Sequence, residues 1–73
     1  MADKLHRQVI IVPEADGGFS VSVPSLRGCH SQGETIDEAV ANIREAIELF
    51  IEDMLENGES VPDDMLDRVL ITI

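Results

Sequence analysis

The sequence predicts an α+β fold of order β-β-β-α-β, an antiparallel hairpin sheet with one long helix on one face and the last strand parallel to the first. Three observations predict it. A β-branched run halts at Pro13 and, after Asp16-Gly17-Gly18, gives way to a period-two segment from Phe19 to Val23. From Thr35 to Gly58, apolar residues recur at steps of three and four. Val69-Leu70-Ile71-Thr72-Ile73 then closes the chain as a short apolar run suited to an inner or parallel strand.

Residues Leu5 to Val12 are rich in Val and Ile, as a strand requires. Their alternating sets are Leu5, Arg7, Val9, Ile11 and His6, Gln8, Ile10, Val12. Both turn apolar toward Pro13, so part of this strand is expected to be covered on both faces. Pro13-Glu14-Ala15-Asp16-Gly17-Gly18 is a turn cluster whose glycines tolerate positive φ. Phe19, Val21 and Val23 then share one buried face, which completes a β-hairpin. Pro24-Ser25-Leu26-Arg27-Gly28 breaks the second strand, and Cys29 to Gln32 forms a short third strand before Gly33.

Thr35-Ile36-Asp37-Glu38 has the form of a capping box, with Thr35 accepting from the Glu38 amide and Glu38 reaching back to the Thr35 amide. Asp37 and Glu38 suit the positive end of the helix dipole. The helix is expected to run to Glu56 or Asn57 and stop at Gly58. Its core stripe is Ile36, Ala39, Val40, Ile43, Ala46, Ile47, Phe50, Ile51, Met54 and Leu55. Glu59 to Asp64 is a connector, and a right-handed crossover returns the last strand beside the first. One helix covers one face, so Ile10 and Val12 are expected on the open face. That surface predicts a homo-oligomer, a dimer or higher.

Composition bounds the function. The 73 residues are one small domain, 1–73, with fifteen Asp and Glu against five Lys and Arg, a formal charge of -10. At 44% hydrophobic the chain is no disordered acidic tail. Phe19 and Phe50 are its only aromatics, which disfavours a base-stacking platform, and the charge opposes phosphate binding. A cationic protein is the expected partner, with no direct nucleic acid contact. Cys29 is the single cysteine, so no internal disulfide forms and a reducing cytoplasm fits. No apolar run approaches the roughly 20 residues that span a bilayer, and none at the N-terminus resembles a signal peptide.

No chemistry emerges from the side chains. Cys29-His30 lacks a placed base and a third orienting group, and only distant His6 could join them on a metal. Cys29 is expected to be a buried thiol and His30 a surface imidazole. The carboxylates crowd one helix face or sit in turns rather than converging. No P-loop lysine follows the glycines. No catalytic residue, metal or cofactor is expected.

Asp16-Gly17-Gly18-Phe19, Val23-Pro24-Ser25-Leu26-Arg27-Gly28-Cys29, Ser31-Gln32-Gly33-Glu34-Thr35 and Glu38-Ala39-Val40-Ala41-Asn42-Ile43-Arg44-Glu45-Ala46-Ile47 together resemble the HicB family of small antitoxins. The resemblance runs from about Leu5 to Pro62 and implies a partial RNase H-like fold in the same element order. It also implies a partner: a basic HicA-like toxin that cleaves messenger RNA, which the antitoxin neutralises. Many members carry a C-terminal DNA-binding segment; this chain ends at Ile73 without one, so a short stand-alone member with no operator binding is expected. Arg27 precedes Gly28 where the family usually has Pro or acidic residues, which bears on partner choice. RNase H chemistry would need a carboxylate on the first central strand, where the chain has Arg7, Gln8, Val9 and Ile10, so no enzyme is expected.

Glu45, Glu48, Glu52 and Asp53 are the candidate residues for drawing in the toxin, and Ile10 and Val12 those for the oligomer interface. The competing expectation is a stand-alone oligomeric domain, structural or regulatory, with no toxin.

Overall fold

The hairpin turn sets the sheet. In the computed structural model, which describes residues 6–64, the Glu14 N–H donates to the Gly18 carbonyl at 3.0 Å and the Gly17 N–H donates to the Glu14 carbonyl at 3.1 Å. Gly17 and Gly18 take φ of 104° and 81°, a conformation L side chains resist. On either side run β1 (Ile10–Pro13) and β2 (Phe19–Ser22), paired antiparallel with Ile10 opposite Ser22 and Pro13 opposite Phe19. β3 (His30–Gly33) pairs antiparallel with the other side of β2, giving the order β1-β2-β3. The helix α1 (Ile36–Glu56) follows, so the arrangement is α+β as the sequence predicts.

Element ends differ from expectation for local reasons. β1 starts at Ile10 rather than Leu5 because Ser22 is the last β2 residue available to it before Pro24 turns the chain. Pro13 belongs to the strand instead of ending it. The Glu14 amide bonds across the ladder, so position 13, one residue earlier, directs its amide away from β2, where a missing N–H costs nothing. β3 begins one residue late because the Cys29 N–H closes the Pro24–Gly28 loop onto the Leu26 carbonyl at 3.0 Å. The last strand and its parallel pairing lie outside the described residues. Asp64 nonetheless comes close to the start of β1, where the Gln8 N–H donates to its Oδ2 at 2.9 Å.

The helix is capped at both ends. Thr35, extended at φ -126° and ψ 165°, accepts from the Glu38 N–H at 3.1 Å. The return bond of the capping box is displaced: Glu38 Oε1 accepts from Glu34 N–H at 3.2 Å, one residue before the expected Thr35 amide. At the far end the Gly58 N–H donates to Leu55 and the Glu59 N–H to Met54, at 3.1 and 2.9 Å, with Gly58 at φ 72°. This is a Schellman motif, and it satisfies carbonyls that a helix end would otherwise leave without partners.

Ala39, Ile43, Ile47 and Ile51 bury one helix face against Val21, Val23, Leu26 and Cys29. Phe19, Ile11, Ala46, Phe50 and Met54 pack around this centre. Three residues assigned to the core stripe do not join it: Ile36 is 51% and Leu55 62% exposed, and Val40 is half-buried outside the core cluster. Each i+4 step advances roughly 40° around the helix, so the row from Ile43 through Ile47 and Ile51 has turned off the sheet by Leu55. Ile36 sits in the first turn, before the helix meets the sheet at Ala39. There the contact is backbone to backbone, because Gly33 on β3 faces the Ala39 main chain with no room for a β-carbon.

Candidate functional site

Three surfaces compete for function. The first is the outward face of α1. The helix holds seven carboxylates and one base, Arg44. Glu45, Glu48 and Glu52 are exposed and follow steps of three and four along its solvent side. Asp53, grouped with them from the sequence, is exposed but turned to the flank. It borders a groove of about 280 Å³ beside Arg27, Phe50 and Met54, with its Oδ2 3.5 Å from Asn57 Nδ2.

The second is the open sheet face. Ile10 and Val12 lie there, 37% and 48% exposed, as the alternation predicts. The register places Ser22 and His30 in the row of Ile10, and Ser20 and Gln32 in the row of Val12. Among the described strands, the apolar part of this face is therefore confined to the β1 side.

The third was not found from the sequence. Phe19 pairs with Gly33, which brings the hairpin turn against the start of the helix. A cleft of about 520 Å³ opens between them, walled by Glu14, Asp16, Glu34 and Glu38. These acids form two pairs far apart in the chain, Glu14 with Asp16 and Glu34 with Glu38, and the β2–β3 register brings the pairs together. The signal was present in Asp16-Gly17-Gly18-Phe19 and Gly33-Glu34, two turns joined by one cross-strand pair.

Among the described residues, Cys29 and His30 are not brought together as a nucleophile and base. Its side chain is buried with Val23 and Leu26, while His30 is exposed, so the neighbours face different environments. Burial pushes the Cys29 thiol above its ordinary pKa, opposed only in part by the Arg7 guanidinium. A thiol raised in this way stays protonated and is a poor nucleophile at neutral pH. Arg7 itself is held by the loop, donating from Nη1 to the buried Ser25 Oγ at 3.0 Å. Among the described residues, no three His, Cys, Asp or Glu side chains are placed to hold a metal ion. No described helix is long and apolar enough to cross a membrane.

A family model described as the HicB_like antitoxin of bacterial toxin-antitoxin system matches residues 8–69. The chain belongs to this HicB-like antitoxin family. It is similar to a UPF0150 protein of Synechocystis sp., 48% identical over 58 residues that cover 80% of this chain and 73% of that protein. It is 41% identical over 63 residues to a UPF0150 protein of Thermoplasma acidophilum, covering 86% and 91%. An uncharacterized 14.9 kDa protein of Haemophilus phage HP1 is 45% identical over 53 residues, which cover 73% of this chain and 40% of that longer protein. In a HicB-like antitoxin the general expectation is a toxin partner, which turns attention from chemistry to contact surfaces.

Proposed function

We propose that this chain, read as one HicB-like unit over 1–73, binds a basic HicA-like mRNA-cleaving toxin and neutralises it by protein–protein contact. The observation that supports this most is the acidic exterior of an antitoxin-family member: -10 overall, with Glu45, Glu48 and Glu52 aligned on the exposed side of α1. Complementary fields speed encounter and select partners, while apolar contact sets the lifetime of the complex. The antitoxin role asks no catalysis of the chain, and a buried, protonated Cys29 suits it. Nucleic acid and membrane are not partners in this reading, and its site of action is the cytoplasm.

A second reading is favoured by one observation. Ile10 and Val12 stand exposed on the sheet, which suits a homo-oligomer, by itself or alongside toxin binding.

The test is co-expression with the basic product of an adjacent reading frame, followed by affinity capture and stopped-flow association. Wild type should capture it, and the Glu48→Lys/Glu52→Lys variant should associate about tenfold more slowly at low salt with a flatter salt dependence. Capture with wild-type kinetics by that variant would remove the acidic helix face from the encounter. Sedimentation equilibrium with a monomer near 8.0 kDa at micromolar concentration would end the oligomer reading.

A further inference from the structure

The two outer strands of the described sheet finish in different ways. On β1, Pro13 removes a donor from the outer edge. On β3 the edge is open among the described residues. The Val23 N–H donates to the Cys29 carbonyl at 3.0 Å, so this is a hydrogen-bonded pair, as are Val21 with Ser31 and Phe19 with Gly33 by alternation. His30 and Gln32 therefore direct both N–H and C=O away from β2. Asn42 Nδ2 confirms the direction, donating to the outward Gln32 carbonyl at 2.8 Å. That leaves the His30 N–H, the His30 carbonyl and the Gln32 N–H facing outward from exposed residues.

The ground beside this edge is shaped along its length. At the His30 end is a groove of about 330 Å³ over Ala46 and Phe50, with Leu49 standing 59% exposed at its wall. At the Gln32–Gly33 end is the cleft walled by Glu14, Asp16, Glu34 and Glu38. Among the described residues, neither has a Lys or Arg in its lining.

We infer that the free edge of β3 receives an extended segment of a basic protein as an added strand. The segment pairs with His30 and the Gln32 amide, sets an apolar side chain against Leu49 and Phe50, and aims Lys or Arg into the acidic cleft. Main-chain bonds supply affinity in such β-augmentation, and the flanking pockets supply selectivity. Charge decides the occupant: a second copy of a -10 chain would bring carboxylates to carboxylates, whereas a cationic strand meets its complement. This deepens the proposed antitoxin reading by naming where the basic partner docks.

The test uses the full chain, ¹⁵N-labelled, and an acetylated octapeptide of alternating Lys and Val, with an alternating Glu and Val peptide as control. The cationic peptide should shift the amides of His30, Gln32, Ala46 and Leu49, and the anionic one should not. His30→Pro removes an outward N–H that no sheet bond uses, so it should weaken peptide binding about tenfold while the melting curve shows a folded protein. Leu49→Lys tests the groove without touching the backbone and should also weaken binding. Unshifted amides at millimolar peptide, shifts confined to the Ile10–Val12 face, or undiminished binding by both variants would overturn the edge site. So would a self-dimer abolished by His30→Pro, which would make a second copy the occupant. The two readings fail separately. If both variants still capture the co-expressed basic protein at full strength, the edge is wrong and the antitoxin role stands. If the peptide binds at the edge but no basic protein is captured, the edge stands and the antitoxin role falls.

Discussion

Gly33→Ala tests the closest approach made by any of the five glycines. A β-carbon built there lies 2.9 Å from Ala39 Cα and 2.9 Å from the Glu38 carbonyl carbon, with the Ala39 nitrogen nearer still. Ordinary contact begins at 3.4 Å, so the first helical turn must retreat by at least about 0.5 Å, and the obstruction is main chain that cannot rotate aside. Moving that turn also strains the Thr35–Glu38 cap. Overpacking of this kind costs about 1–3 kcal/mol, and backbone against backbone belongs at the upper end. Loss of glycine's freedom in the unfolded chain returns about 0.4–1 kcal/mol, leaving a net cost of roughly 2 kcal/mol. For a domain of this size that lowers Tm by roughly 8–16 °C. The control is Gly17→Ala, where nothing lies within 4 Å but φ is 104°, so only about 1 kcal/mol of backbone strain is expected. Thermal melts followed by circular dichroism decide it. If Gly33→Ala melts within about 3 °C of wild type, or above Gly17→Ala, the account of helix seating on β3 is wrong.

Ile43→Ala should cost about 2–5 kcal/mol in urea titrations, and Leu55→Ala no more than about 0.5 kcal/mol. Equal losses would return Leu55 to the core. Cys29 predicts an alkaline limb. Its raised folded pKa means that the native state holds the thiol proton more tightly than the unfolded chain does, so this contribution is complete below the unfolded pKa of about 8.5 and fades as pH climbs through the folded value. Urea midpoints from pH 7 to 10 should fall for wild type and fall less steeply for Cys29→Ala. The chain has no Tyr and one Lys, so few other groups titrate in that window. Parallel slopes would refute the assignment.

The parts legible in the sequence were those decided by near neighbours. Thr35 and Gly58 bracket the helix because caps are local chemistry, and the alternation of Phe19, Val21 and Val23 is visible in five residues. Ile10 and Val12 emerge on the open face for the same reason. What escaped depends on ladder phase, on register and on how loops and whole elements close against one another. Pro13 joins β1 because its amide faces away from β2, a matter of ladder phase. Leu55 leaves the stripe because a straight helix slowly turns its i+4 row away from a sheet. Leu26, 1% exposed, sits in a loop that looks like a plain breaker until its three backbone bonds fold it inward. The cleft at Glu14, Asp16, Glu34 and Glu38 exists only through the register of β2 and β3.

The two ends of α1 are not equally anchored. Asp37 and Glu38 favour the start, where Ala39 is locked on Gly33, but no base occupies the last turn and Glu56 sits at its negative pole. The geometry of the Schellman closure holds against that unfavourable charge, while Leu55 contributes little packing. Amide exchange should therefore be graded along one continuous helix, slow from Ala39 to Ile47 and progressively faster beyond Ile51. On the same grading, the segment around Met54 and Val61 should exchange before the Gly33–Ala39 seam does.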